Sequence, residues 1–187
     1  PQCSTKKTKA HYPLVRMVIA TDAVSRVTLR PAIGAFHGDK AKGESELAMR
    51  ILPLIPKGAV VIADRFYGFF RMIYETFNTG HQVTFRLAER RAAKFIGLQP
   101  KEPSGDMPVT WKPSPGERRK YSDLKEKSIP GRLVWMTINE KGFRPNKIVL
   151  FTTSTAPALE IFELYALRWR VEDTLRDIKT TLNLNLI

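Results

Sequence analysis

Between Gly43 and Ala88 the hydrophobic spacing changes repeatedly, and this stretch constrains the fold more than any other. "GESELAMRILPLI" places apolar residues at Leu47, Ile51, Leu54 and Ile55, the spacing of one helix face, and Pro56 and Gly58 end it. "AVVIA" (59–63) is a short continuous apolar run, as expected of a strand buried on both faces. "FYGFFRMIYETFNTG" returns to helical spacing at Phe69, Ile73 and Phe77, with Gly80 placed to end the helix. "QVTFRLA" is strand-like again. This alternation predicts an α/β sheet covered by helices.

Two further β-rich runs, "LVRMVIA" and "RVTLRPAI", flank "TDAVS" near the start and predict a hairpin. From Arg90 to about Lys147 the chain is rich in Pro, Gly, Lys and Arg, with strand-like pieces "MPVTW", "RLVWMTIN" and "KIVLFTT". This reads as a β-rich basic insertion. Its Trp111 and Trp135 are expected in the core, and its "GERRKYSDLKEK" as a solvated loop of mixed sign. "STAPALEIFELYALRW" then opens a last long helix, with Ser154 or Thr155 near its cap and Pro157 in its first turn. The organisation expected is 1–89, the first part of the core; 90–150, the insertion; and 151–187, the closing helix.

Composition narrows the function. The 187 residues are enough for one domain with a real core, and 43% of them are hydrophobic. Lys and Arg outnumber Asp and Glu by 31 to 18, a net charge of +13 that favours a polyanionic partner, nucleic acid before an acidic membrane surface. A single cysteine and three scattered histidines exclude an internal disulfide and show no metal-ligand spacing. No apolar run is long enough to span a bilayer, and the polar, basic opening with Lys6, Lys7 and Lys9 reads as an arm and not a secretory signal. A cytoplasmic protein is the expectation. Pro1 in place of Met and the uncapped ending "TLNLNLI" suggest a piece of a longer protein.

"LYALRWRVEDTLRDIK" (164–179) reads as one helix with two stripes. At about 100° per residue, Leu164, Leu167, Val171, Leu175 and Ile178 form an apolar stripe. Tyr165, Arg168, Glu172, Arg176 and Lys179 fall together beside it, within about 80° of arc by the same rule. Arg170, Asp173 and Asp177 face away. Pairing of Glu172 with Arg168 and Arg176, each four residues distant, on a solvated face explains the mixture of charges if geometry alone is considered. Asp64 adds a second observation. It directly follows "AVVIA", and in open α/β sheets ligands bind at the carboxyl ends of strands. The competing assignment is that Asp64 caps the helix opened by "DRFYGFF".

The spacing of Tyr165, Arg168, Glu172 and Lys179 reproduces Y-x2-R-x3-E-x6-K, and with "VVIADRFYGFF" and "GESELAMRILPLIPKGAVVIADR" it resembles DDE transposases of the insertion-sequence-4 type along nearly the whole chain. One departure is Phe66, where the family often has Gly after the Asp-Arg pair. The resemblance implies an RNase H-like catalytic core, a mixed sheet flanked by helices and interrupted by a β-rich insertion. It implies metal-dependent DNA cleavage and strand transfer, with Asp64 and Glu172 as catalytic metal ligands for two Mg²⁺ ions, replaceable by Mn²⁺. Arg168 and Lys179 would contact DNA phosphates, and Tyr165 would help hold the terminal nucleotides. Arg176 joins them from the angle count. The implied partners are double-stranded DNA, both element ends and target, and a second copy in a homodimer, in a prokaryotic cytoplasm at the nucleoid. A non-catalytic DNA-binding remnant is the alternative.

The family's first aspartate precedes the hairpin. Asp22 in "ATDAVS" is better explained by turn chemistry, and Asp39 and Glu44 fit no better. The first carboxylate and its strand are therefore expected upstream of Pro1. The chain alone is expected to be inactive and poorly stable, because a buried strand beside the gap would lack backbone partners.

Overall fold

The computed structural model describes residues 14–97, 102–139 and 146–181; the basic arm lies outside them. Two sheets form. β1 (Val15–Val18) and β2 (Ala32–Ala35) make an antiparallel pair, with Val15 opposite Ala35. The five-stranded sheet comprises β3 (Val60–Ala63), β4 (Gln82–Arg86), β5 (Ser104–Trp111), β6 (Ile129–Ile138) and β7 (Asn146–Thr152). Its order is β3-β4-β7-β6-β5. Only β3 and β4 run parallel; the other neighbours are antiparallel. Among the described residues six helices accompany the sheets: α1 (Glu44–Ile51), α2 (Phe70–Asn78), α3 (Glu89–Ile96), α4 (Pro115–Lys120), α5 (Ala158–Ala166) and α6 (Trp169–Thr181). The expected α/β class, a mixed sheet flanked by helices, is what forms.

Alternation along the strands divides the core in two. Leu133 and Phe151 belong to the larger cluster, with Ala48, Phe70, Ile73, Val83, Phe85 and Ala92 from the α1–α3 side. Their sequence neighbours Val134 and Leu150 point the other way and meet Ile161 and Tyr165 of α5. Successive strand residues face opposite sides, so the sheet is covered on both faces. Trp111 and Trp135 are buried, as the sequence predicts.

Several sequence-based expectations need correction. β2 starts only after Pro31, but the two arms stay paired beyond the named strands, with Thr21 opposite Thr28 and the Asp22 N–H bound to the Val27 carbonyl, so the hairpin turns close to "TDAVS" as read. Asp22 Oδ1 accepts the backbone N–H groups of Val24 (2.9 Å) and Ser25 (2.6 Å), which accounts for this carboxylate within the turn. α1 ends at Ile51, where Pro53 turns the chain into a single 3-10 turn, Leu52–Leu54. The basic stretch after Arg90 holds two helices that the sequence reading left out. One is α3, whose first residue is Glu89. The other is α4, started by a capping box in which Ser114 Oγ accepts from Glu117 N and the Glu117 carboxylate accepts from Ser114 N.

Two corrections bear on function. The run 59–63 is not buried on both faces: every residue of β3 is half-buried, and among the described residues β3 pairs on one side only, with β4. The closing helix is not continuous either. α5 has Pro157 as its cap, with no side-chain cap bond from Ser154 or Thr155, and it ends at Ala166. Across the junction the backbone bonds become three-residue ones, Leu167 N–H to Leu164, Arg168 to Tyr165, Arg170 to Leu167 and Val171 to Arg168. A tighter 3-10 turn replaces the α-helical ladder there, and the phase of α6 shifts relative to α5.

Candidate active site

Asp64 is placed by the end of β3 and by the loop 64–69 that follows. α2 begins at Phe70 with Phe69 as its cap, so Asp64 does not cap a helix. Its Oδ1 instead accepts the N–H of Phe66 (2.9 Å), and its carbonyl accepts the N–H of Tyr67 (3.2 Å). Three contacts fix the loop. Gly68 packs so closely on β4 that a Cβ would overlap the Arg86 carbonyl oxygen. Arg91 of α3 donates to the Gly68 carbonyl. The Tyr67 hydroxyl donates to Glu44 Oε1 at 2.6 Å, tying the loop to the first residue of α1.

Glu172 comes from the other side of the chain. It lies in the first turn of α6 and is exposed, and its Oε1 accepts from Arg168 Nη1 at 2.7 Å. Arg168 sits in the junction between α5 and α6, its guanidinium 5.8 Å from the Tyr165 ring centre and 4.7 Å from that of Trp169. Burial disfavours its charge, but Glu172 and Tyr165 outweigh burial and hold the guanidinium more firmly protonated than usual.

Tyr165 lies deeper than the angle count, which sets it beside the apolar stripe, would place it. It is 6% exposed, in the cluster with Val134, Leu150 and Ile161, and its hydroxyl is buried with no hydrogen-bond partner among the described residues. Burial raises its pKa; the positive charges of Arg168 and Arg86 act against that, and the Asp64 carboxylate acts with it. Tyr165 therefore feels Asp64 and Arg168 together, and Arg168 holds Glu172. The contacts themselves run from Tyr165 through Arg168 to Glu172.

The remaining stripe residues stay on α6. Glu172, Leu175, Arg176 and Lys179 line one shallow, open depression. Arg176 is exposed and pairs with Asp173 Oδ1 (3.1 Å). Arg170, expected to face away, is half-buried and donates to the Ala23 carbonyl (2.9 Å), docking α6 on the hairpin turn. The angle count failed here because it assumed an unbroken helix.

The sequence reading also missed Tyr67, Glu44, Arg86 and Trp169. The ring pair Phe66-Tyr67 directly after Asp64 was the available signal for the first. Trp169, 62% exposed beside Arg168, was visible as an aromatic inside the signature.

Asp64 and Glu172 offer carboxylate oxygens, the donors that hard divalent ions such as Mg²⁺ take. Mg²⁺ is commonly held by one or two carboxylates plus substrate phosphate, so the donor chemistry of these two side chains suits such an ion. Among the described residues no group of three His, Cys, Asp or Glu side chains is gathered in metal-binding fashion.

Comparison with known proteins shows the family of the chain. The family model described as "Transposase DDE domain" matches residues 1–186. The chain is similar to the transposase InsG for insertion sequence element IS4 of Escherichia coli (strain K12), 26% identical over 178 residues. The match covers 92% of this chain and 38% of that protein, so the chain spans well under half the length of this relative.

Proposed function

The chain belongs to the family of transposase DDE domains, and from that premise we propose that it forms the catalytic core of an insertion-sequence transposase that cuts and joins DNA. The observation that carries this is the Asp64 carboxylate held in the loop at the carboxyl end of β3, together with Glu172 on α6 paired to the Arg168 that lies by the Tyr165 ring. The ligands proposed for the divalent ions, Mg²⁺ or Mn²⁺, are these two carboxylates. When bound, such ions activate an attacking oxygen and stabilise the leaving oxygen of a phosphodiester.

The chain's own residues do the rest. The Phe66 N–H fixes the orientation of the Asp64 carboxylate through Oδ1. Arg168 holds Glu172 in reserve; an arriving phosphate competes for the guanidinium, whose planar fork suits phosphate oxygens, and so frees the carboxylate. Lys179 and Arg176, beside Glu172 on α6, supply further charge to the DNA backbone. Tyr165 serves the terminal nucleotides from beneath, by holding Arg168 in place. Double-stranded DNA, both element end and target, is the proposed substrate, and a homodimer the proposed active assembly.

The test is cleavage and strand transfer by the full-length protein with Mn²⁺ titrated. Asp64→Asn and Glu172→Gln are each expected to lose more than the roughly 10–100-fold that changes outside a metal's ligand shell cost. Parent-like cleavage by either variant sinks the assignment. The Arg168–Glu172 ion pair favours one second reading, a metal-free DNA-binding remnant. Under it, Mn²⁺ alters neither DNA binding nor the two variants' behaviour.

A further inference from the structure

Among the described residues the β1–β2 hairpin shares no strand pairing with the five-stranded sheet. Its place is set by other contacts, and two groups of them concern the candidate site. At the turn it takes α6, through the bond from Arg170 Nη1 to the Ala23 carbonyl. Along the strands it takes the segment that opens α1. Arg16 Nη1 of β1 donates to the Lys42 carbonyl at 2.6 Å, and the Lys42 N–H donates to the Ala35 carbonyl of β2 at 3.1 Å. Gly34 packs there so closely that a Cβ would lie 2.9 Å from the Lys42 Cβ. At the first residue of α1, Glu44 then accepts from the Tyr67 hydroxyl, and the Tyr67 N–H is bound to the Asp64 carbonyl. The first contact belongs to the helix of Glu172; the second series ends on the loop of Asp64.

Carboxylates that serve one metal centre must keep a fixed separation, because Mg²⁺ demands near-ideal octahedral geometry and a site loosened by about 1 Å fails. Asp64 and Glu172 come from elements remote in sequence, so something must hold both to a common reference. We propose that the hairpin is that reference: it sets the two carboxylates relative to one another, with Arg16, Glu44, Tyr67 and Arg170 as positioning residues. The inference rests on the proposed function and adds to it what keeps the two proposed ligands in register. Arg16 and Glu44 act in series on the Asp64 side. Breaking either releases the loop from the hairpin, and breaking the second then adds little, as expected of residues that share one network. Arg170 acts alone on the Glu172 side.

The test uses the full-length protein with spin labels at Arg65→Cys and Asp177→Cys, both exposed positions, and the native cysteines replaced. Measured without metal or DNA, the distance between the labels should be narrowly distributed in the parent. It should broaden or shift in Arg16→Ala, Glu44→Ala and Arg170→Ala, while Glu44→Gln, which keeps an acceptor for the Tyr67 hydroxyl, retains the parent distribution. On unlabelled protein, Mn²⁺ affinity should fall by on the order of tenfold in Arg16→Ala and in Glu44→Ala, and by no more than that in the double variant. Circular dichroism reports whether each variant is folded, and Arg170→Ala, at the turn, keeps the test open if a change beside α1 unfolds the protein. Parent distances in the folded variants overturn the proposal. So does a double variant that loses the product of the two single losses, the result of independent local effects. Because the distances need neither metal nor cleavage, shifts as expected alongside parent-like cleavage by Asp64→Asn and Glu172→Gln would leave the support standing and count against the catalytic reading alone.

Discussion

At the scale of single residues, the buried hydroxyl of Tyr165 and the half-buried strut of Tyr67 make opposite predictions for the same substitution. The Tyr165 hydroxyl has no partner among the described residues, and burying an unpaired polar group costs stability. Tyr165→Phe is therefore expected to leave stability to urea unchanged or raise it by about 1 kcal/mol, with DNA-end affinity within roughly threefold of the parent by the usual conversion. A tenfold loss of affinity would show that the hydroxyl itself reaches DNA. Tyr67 has its partner in Glu44, and Tyr67→Phe should cost about 1–2 kcal/mol. Burial, then the hydrogen bond to Glu44, push the Tyr67 pKa well above its ordinary value of 10.0. A raised pKa means the folded state keeps its proton where the unfolded chain releases it. The stabilisation is thus complete below pH 10 and is lost as pH rises beyond it. Denaturation followed between pH 9 and pH 11 should show the parent losing its advantage over Tyr67→Phe; a constant gap would contradict the assignment. Neither tyrosine's environment was legible in the sequence. The signature marks Tyr165 as a site residue, but whether its ring lies outward or inward depends on the junction at Leu167–Arg168. Glu44 and Tyr67 meet only once α1 and the loop are folded.

At the scale of elements, most of the core was legible because the sheet and its helices carry clean apolar periods. "QVTFRLA" became β4 almost as read, and "FYGFFRMIYETFNTG" became α2, shortened by the loop that Asp64 opens. Two things were not legible. α3 is amphipathic but short and set in a basic stretch, where charge hides its period. The break between α5 and α6 has no Pro or Gly to announce it, for "LYALRWRVED" is helix-forming throughout, and the 3-10 turn emerges as Tyr165 packs inward and Arg170 reaches the hairpin. The loop 64–69 carries the element-scale prediction. Gly68→Ala puts a methyl group into the Arg86 carbonyl, so the loop must lift from β4 at a cost of about 1–3 kcal/mol, taking Asp64 with it. Thermal melts should show the loss, and Mn²⁺ binding should weaken more than in Gly116→Ala, where a Cβ meets only the Ser114 hydroxyl at 4.0 Å. Equal Mn²⁺ affinity in the two variants would separate the loop from the metal site.

At the scale of the whole molecule, charge governs encounter with DNA. The net +13 was plain in the sequence, whereas its distribution was not: Arg170, expected in solvent, is spent on the Ala23 carbonyl. Each phosphate contact contributes about 0.9 to the slope of log affinity against log salt on duplex DNA. Arg168→Ala and Lys179→Ala are each expected to reduce that slope by about 1, and Lys125→Ala, exposed in the turn after β5 and α4, to leave it unchanged. Identical slopes in all three would mean that the α6 cations face solvent only. The sheet margin at β3 also belongs to this scale. A parallel strand paired on one side among the described residues sets Asp64, at its carboxyl end, on the margin of the sheet.

The Arg170–Ala23 hydrogen bond joins residues 147 positions apart. Closing so long a loop carries an entropic cost that must be met before the contact forms, and domains made on the ribosome acquire their N-terminal parts first. The hairpin can fold early, but the helix bearing Glu172 docks on it only after nearly all of this chain has been synthesised. A growing polypeptide therefore carries Asp64 well before it carries the helix bearing Glu172, and the two proposed ligands become available together only once this whole stretch has been made.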